Sequence, residues 1–305
     1  MDVVTGSFGY IGKYITRELL NRGRGVKTIT THPNKPNPFG ERVMASSYHF
    51  DDPDLLVRQL EGCEVLFNTY WVRFDYREWS FAGALENTKL LFRCAKRAGI
   101  NKIVHISVTN PDESDSLPYY RGKALQERAL KGEGVDYAIV RPTLVFGNED
   151  ILVNNITWTI RRFPIVPIFG TGEYEIQPVF VEDLATIAVD SSENEKSETI
   201  DAIGPETIAY KDLLRMLAQE LDRNVKFVHV SPSLAVFLGN IIGMFVKDVI
   251  ITKDELRGLM ANKLTSNQDP NGKTLFSEWF GKNRRTIGLE YTSELNRHFY
   301  WKRVT

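Results

Sequence analysis

Over the first 150 residues the apolar positions alternate between short continuous runs and wider stripes at helical spacing. Val3 and Val4 form the first run. Ile11, Ile15, Leu19 and Leu20 form the first stripe, which predicts a helix over 10–21 closed by Gly23. A strand is expected over 26–30, followed by a loop over 33–40 punctuated by Pro33, Pro36 and Pro38. A weak strand ends at Phe50-Asp51-Asp52, and Asp52, just before Pro53, is placed to cap a helix over 54–60. Gly62 introduces a fourth strand over 64–67, and Leu85, Leu90, Leu91 and Ala95 predict a long helix over 79–97. A fifth strand over 102–108, a helix reaching Lys131 and a sixth strand over 136–140 complete the alternation. Strands separated by helices in this way predict an α/β fold, a Rossmann-type doubly wound parallel sheet.

Past Gly147 the rhythm breaks. Residues 154–162 read as helix, 164–172 as a Pro/Gly loop, and 177–185 as a short strand capped into a helix. A strand over 198–203, an amphipathic helix over 210–220, a strand over 225–230 and helical segments complete the chain. The expected division is a dinucleotide-type domain over 1–150 with 176–204, and a smaller carboxyl-terminal α/β lid domain over 151–175 with 205–305. The most apolar run, 234–246, spans 13 residues, short of the ~20 needed to cross a bilayer. It reads as a buried or cleft-lining helix, with peripheral membrane contact as the alternative.

The turn after the first strand carries the first chemistry. Gly6, Gly9 and Gly12 stand three apart between a strand and a helix, in the stretch Gly6-Ser7-Phe8-Gly9-Tyr10-Ile11-Gly12. A tight turn at Gly6, close backbone approach at Gly9 and close helix packing at Gly12 let a helix amino terminus receive a pyrophosphate. About twenty residues further on, an acid would bind the ribose 2′-hydroxyl of NAD. Thr31, His32 and Lys35 stand there instead, a set that favours the 2′-phosphate of NADP(H) and leaves NAD(H) open. Asp51 is placed to accept from an adenine amino group. Asn68, Thr69 and Tyr70 follow the fourth strand, where an open parallel sheet presents its ligands.

Composition adds limits. A net charge of −1, with 42% hydrophobic and 25% charged residues, describes an ordinary globular chain with no electrostatic call for nucleic acid or an anionic surface. Cys63 and Cys94 have neither disulfide nor metal-ligand spacing and read as small buried apolar groups, as in a reducing cytoplasm. Met1 already abuts the first strand, so no signal peptide is expected. No metal is called for.

Tyr119 and Lys123 are four residues apart and so share one helix face. A tyrosine near pKa ~10 becomes a usable acid or base when an adjacent ammonium favours its phenolate. Ser107, at the end of the fifth strand, can hydrogen-bond a substrate carbonyl or hydroxyl. Together the three form a hydride-transfer site, with Tyr119 moving the proton, Lys123 tuning it and Ser107 orienting the substrate.

These residues resemble the short-chain dehydrogenase/reductase superfamily, in its extended and atypical branches, over nearly the whole chain. Gly6, Gly9 and Gly12 match the extended-type glycine pattern; Ser107, Tyr119 and Lys123 match the catalytic serine, tyrosine and lysine. Asn87 looks like the asparagine of the active-site helix, and Arg141-Pro142-Thr143 is similar to the segment lying against the nicotinamide end. Asn68-Thr69-Tyr70-Trp71 and Tyr119-Tyr120-Arg121-Gly122-Lys123-Ala124 look most like the atypical members. Those members are grouped with NmrA-like proteins and the nucleotide-binding accessory subunit of respiratory complex I. The resemblance implies a dinucleotide cofactor, a small-molecule substrate, and a homodimer built on the two helices over 79–97 and after Lys123. Extended epimerases carry a longer gap than the one between Ser107 and Tyr119, and atypical relatives include proteins that hold NADP(H) without turnover. Two readings follow: an NADP(H)-dependent oxidoreductase or epimerase, and a non-catalytic NAD(P)H-binding sensor or accessory subunit.

Overall fold

The computed structural model describes residues 1–299. The chain opens with β1 (Asp2–Thr5), buried throughout, and turns at Gly6 into α1 (Tyr10–Asn21). Next come β2 (Val26–Thr30), β3 (Val43–Ser47), α2 (Pro53–Leu60), β4 (Val65–Asn68), α3 (Phe81–Arg97), β5 (Lys102–Ile106), α4 (Pro118–Glu133) and β6 (Asp136–Pro142). An excursion follows through β7 (Leu144–Phe146), α5 (Leu152–Arg162), β8 (Ile165–Phe169), β9 (Glu175–Ile176) and β10 (Pro178–Phe180). The chain returns with α6 (Val181–Glu193) and β11 (Glu198–Ala202). It continues through β12 (Ile208–Ala209), α7 (Tyr210–Glu220), β13 (Lys226–Val230), α8 (Pro232–Val246), α9 (Lys253–Met260), α10 (Phe276–Asn283) and α11 (Glu294–His298).

Residues 1–142 and 181–202 form one compact unit. Its sheet has seven strands in the order β11-β6-β5-β4-β1-β2-β3, all parallel. The order reverses between β1 and β4, which is where the loops at the strands' carboxyl ends part and a ligand can enter. Helix α1 packs with α6, and α3 packs with both α2 and α4, the two sets that a doubly wound sheet requires. Val3, Ile29, Leu66, Ile103 and Ile139 from the strands meet Leu56, Leu60, Leu91, Phe92 and Leu130 from the helices. Each such side chain withdrawn from water contributes about 1.5–3 kcal/mol. Cys63 and Cys94 are buried free thiols, and burial pushes both pKa values up.

Local signals set the ends of these elements. Asp52 accepts from Leu55 N at 3.0 Å and caps α2, and Ser80 accepts from Gly83 N at 3.1 Å and caps α3, which begins at Phe81 rather than at residue 79. Gly134 ends α4 in the left-handed region, where a side chain would be strained.

Among the described residues, 143–180 and 203–299 form the second unit. It takes in 143–150 and 176–180, both expected with the first domain, because β10 pairs in parallel with β7. Strand β8 pairs in parallel with β13 from Ile165↔Lys226 to Phe169↔Val230. Residues 165–169 are therefore strand, not the loop their prolines predicted: in a two-stranded pair a proline needs no partner on both sides. Phe146, Phe276, Trp279 and Phe280 pack with Tyr174, Tyr210 and Leu217 in this unit's core.

The expectation that 234–246 is buried does not hold. The run forms α8, but Leu234, Phe237, Leu238, Ile242 and Met244 are exposed. The smaller residues Ala235, Gly239 and Gly243 take the packed positions, so hydrophobicity alone misassigned the face. Among the described residues no helix is long and apolar enough to cross a membrane.

Candidate active site

The glycine turn is built by close approach. Gly6 has φ +69°, in the left-handed region, and a Cβ at Gly12 would stand 2.4 Å from Gly6 O. Gly12 thus lets α1 start directly against the turn. No side chain caps α1 at Gly9, and its first turn carries no acid, so its leading N–H groups face outward with the positive end of the helix dipole. That donor set fits a pyrophosphate. Ser7 is placed differently from expectation: it is fully buried, its N–H donates to Thr28 Oγ1 at 3.0 Å, and Thr16 Oγ1 donates to its hydroxyl at 2.7 Å. Ser7 therefore holds the turn instead of facing a ligand. Phe8 is also buried, while Tyr10 and Ile11 are half-buried.

Beside the turn, the end of β4 is tied to β1. Thr69 N donates to Thr5 Oγ1 at 2.7 Å, and Thr69 Oγ1 donates to Thr5 O at 2.6 Å. Asn68 Oδ1 accepts from Thr5 Oγ1 and Tyr70 N at 3.2 and 3.1 Å, which orients the amide. Its Nδ2 therefore donates to His105 Nδ1, 3.0 Å away, and the imidazole proton resides on Nε2. His105 is fully buried; desolvation first, and the neighbouring Lys123 second, hold its pKa well below the usual imidazole value. Tyr70 packs at a tilt against Tyr48 and Phe50, and its hydroxyl accepts from Asn87 Nδ2 at 2.9 Å. Asn87 thus braces Tyr70 from α3. Burial raises the Tyr70 pKa against that hydrogen bond.

Helix α4 presents Tyr119, Lys123 and Glu127 one turn apart on a single face. Tyr119 is half-buried, edge-on to Trp71 and Phe81 with ring centroids 6.3 Å apart in both cases. Lys123 is 3% exposed, donates to Ile106 O at 2.8 Å, and lies 5.2 Å from the Trp71 ring centroid. Burial brings its pKa down to about 7, opposed by the Glu127 carboxylate. Trp71 can lie there because residue 122 is glycine: a Cβ would stand 2.7 Å from the indole. Trp71 Nε1 is buried with no hydrogen-bond partner among the described residues, a donor left for a bound group.

Ser107 does not stand free beside this face. Its buried hydroxyl donates to Glu127 Oε1 at 2.6 Å, and its N–H donates to Val140 O at 2.7 Å, continuing the β5–β6 ladder past Ile106. Arg141 Nε donates to the same Oε1 at 2.9 Å and its Nη2 to Oε2 at 2.5 Å. The expected serine–tyrosine–lysine set is thus joined by buried Glu127, paired with half-buried Arg141, and its carboxylate occupies the serine. The Glu127 carboxylate holds the Arg141 pKa above its usual value.

The remaining candidates lie at the rims. Thr31 is exposed and His32 and Lys35 are half-buried in the turn after β2, where Lys35 N donates to His32 O at 3.1 Å. Asp51 is exposed in the turn before α2. Pro142 ends β6, and Thr143, buried, is the first residue of the second unit.

Comparison with known proteins agrees with this geometry. Residues 6–157 match the NAD(P)H-binding family. Subunit 9 of the NADH dehydrogenase [ubiquinone] 1 alpha subcomplex, mitochondrial, from Arabidopsis thaliana is 24% identical over 226 residues, 70% of this chain. The chain spans 56% of that relative's length and 59% of the rat counterpart's. Among solved structures, NADPH-dependent quinone oxidoreductase QOR2 from Escherichia coli, complexed with NADPH, gives a TM-score of 0.73 at 17% identity, covering 92% of this chain and 99% of that one. A nucleoside-diphosphate-sugar epimerase from Staphylococcus aureus gives 0.72 at 14% identity, covering 99% of each chain. The two structural likenesses carry the fold. Residues 6–157 thus carry an NAD(P)H-binding domain, on a fold shared with reductases and epimerases.

The matched segment opens at Gly6, and the donors described above fit an NAD(P)H pyrophosphate. Glu127 and His105, and the contact between Trp71 and Gly122, escaped sequence reasoning. Glu127 carried a readable signal, since it repeats the four-residue step from Tyr119 through Lys123. Trp71 and Gly122 complement each other from distant parts of the chain, and His105 is hidden inside an apolar strand; neither leaves a local pattern.

Proposed function

We propose that this chain is an NADP(H)-dependent oxidoreductase or epimerase acting on a small carbonyl or hydroxyl compound. One observation carries the reading: half-buried Tyr119 and sealed Lys123 share one face of α4, at the carboxyl edge of the sheet. When bound, the nicotinamide supplies or accepts a hydride. Tyr119 gives or takes the accompanying proton. Lys123, with a pKa brought down to about 7, holds or releases a proton near neutrality, and in its charged form it favours the tyrosinate. Gly6, Phe8, Gly9, Tyr10, Ile11 and Gly12 receive the pyrophosphate through their backbone. Thr31, His32 and Lys35 meet the 2′-phosphate, and Asp51 meets the adenine. Asn68, Thr69 and Tyr70 border the cofactor, and Arg141, Pro142 and Thr143 line its nicotinamide end. Ser107 serves through Glu127 as support.

A second reading, a non-catalytic NAD(P)H-binding accessory protein, is favoured by the Ser107–Glu127 hydrogen bond, which removes the usual substrate-orienting hydroxyl. Fluorescence titration with NADPH and NADH, followed by oxidation assays with carbonyl and quinone acceptors, separates the two. The enzyme reading expects NADPH to bind about tenfold tighter, a difference of ~1.4 kcal/mol, and to be oxidised. Tight binding without oxidation by any acceptor supports the accessory reading, and equal affinities overturn the 2′-phosphate assignment.

A further inference from the structure

We propose that α8 docks the chain on an anionic membrane surface, lying along the interface without crossing it. The helix carries no charge over its 15 residues. At ~1.5 Å rise per residue it is shorter than the ~30 Å hydrocarbon core. Its two sides are the reverse of those of a water-facing helix. Ala235 is buried, Gly239 packs on Ile251 and Gly243 on Asp248 O, so the small residues face the protein. Leu234, Phe237 and Met244 lie on the opposite arc, Leu238 flanks them, and Ile242, near Ala235 in azimuth but two turns on, is exposed as well. Their exposures run from 41% to 73%.

The apolar surface extends beyond the helix. Phe163, Ile165 and Val228 are also exposed, Ile165 on β8 and Val228 on β13, the strand that leads into α8. Most of the large exposed apolar side chains among the described residues belong to this part of the second unit. Exposed apolar side chains gathered on one helix and the two strands beside it in the fold mark a docking face.

Charge selects the occupant. Exposed Lys226 precedes α8, and exposed Lys247 and Lys253 follow it. The nearest acid, Asp248, is withdrawn from the surface: Tyr291 Oη donates to it at 2.7 Å, and Glu294 N and Leu295 N donate at 2.9 Å. An apolar stripe fringed by lysines suits acyl chains beneath anionic headgroups. Two copies pairing through this face would bring the same lysines together, which disfavours a second copy of the chain as the occupant.

Co-flotation of the full chain with phosphatidylcholine vesicles, with and without phosphatidylglycerol, tests this. The expected result is flotation with the phosphatidylglycerol vesicles that weakens with added salt. Phe237→Ser with Ile242→Ser should lower binding more than about tenfold, and Lys247→Glu with Lys253→Glu about fivefold or more per lysine. Both pairs are exposed, so an unchanged thermal midpoint and NADPH affinity establish that the fold is intact. Failure to float with either vesicle overturns the proposal. So does equal flotation with both vesicles that the lysine changes leave unaltered. Self-association that Phe237→Ser abolishes, without flotation, would assign the face to a second copy instead.

Discussion

Ser107 Oγ donates to Glu127 Oε1 at 2.6 Å inside the first unit, and the same carboxylate grips Arg141 with two further hydrogen bonds. The serine that the sequence offers as a substrate ligand is therefore committed to the fold. Ser107→Ala should cost about 1–3 kcal/mol in urea unfolding, because Glu127 loses one of its buried donors. The same change should lower NADPH-dependent turnover by less than about tenfold, below the usual effect of removing an acid–base group. A larger drop in turnover with unaltered stability would return Ser107 to direct contact with substrate.

Glu127→Gln should be the more damaging change. It leaves Arg141, whose side chain is only a quarter exposed, without its carboxylate. A buried pair broken from one side costs about 3 kcal/mol or more. Denaturant midpoints measure this; a loss under about 1 kcal/mol would class the pair with exposed salt bridges.

Lys123 predicts a pH dependence. Its folded pKa is about 7 against an ordinary 10.5. Between those values the unfolded chain keeps a proton that the folded chain has released, so this group makes stability rise with pH from about 7 to 10.5. Below about 7 the penalty for burying the ammonium is constant. Lys123→Met should remove the alkaline rise, of about 1.4 kcal/mol per pH unit, and stabilise the protein at neutral pH. His105 acts on the acid side: neutral in the fold, it makes stability fall as pH drops below 6.5. Unfolding curves of wild type and Lys123→Met across this range check the sign, and parallel curves would contradict it.

Much of the first unit was legible because its signals are local. The limits of α1 and β2 follow from the Ile11–Leu20 stripe and the glycines on either side, and the Asp52 cap from one residue before a proline. The second unit was less legible because its strands find partners far along the chain, as Ile165–Phe169 does with Lys226–Val230. Helix α8 misled because an apolar sequence does not tell which of its faces is packed; the glycines, not the leucines, decide that. In the site, Gly6, Gly9 and Gly12 and the step from Tyr119 to Lys123 could be read directly. The inward turn of Ser7 and the capture of Ser107 could not, since each depends on a side chain from another element, Thr16 and Glu127.

The glycine turn makes its own prediction. A Cβ at residue 12 would stand 2.4 Å from a backbone oxygen, which cannot yield without moving the turn. Gly12→Ala should weaken NADPH binding about a hundredfold, or ~2.7 kcal/mol, in a fluorescence titration. An unchanged affinity would place the cofactor elsewhere.

The most direct test of the account is NADPH oxidation by Tyr119→Phe. Loss of the hydroxyl leaves the ring packed against Trp71 and Phe81, so the fold and the NADPH dissociation constant should stay as in wild type. Turnover should fall by about 10²–10⁴-fold, the contribution of a positioned acid–base group. Turnover equal to that of wild type would contradict the account.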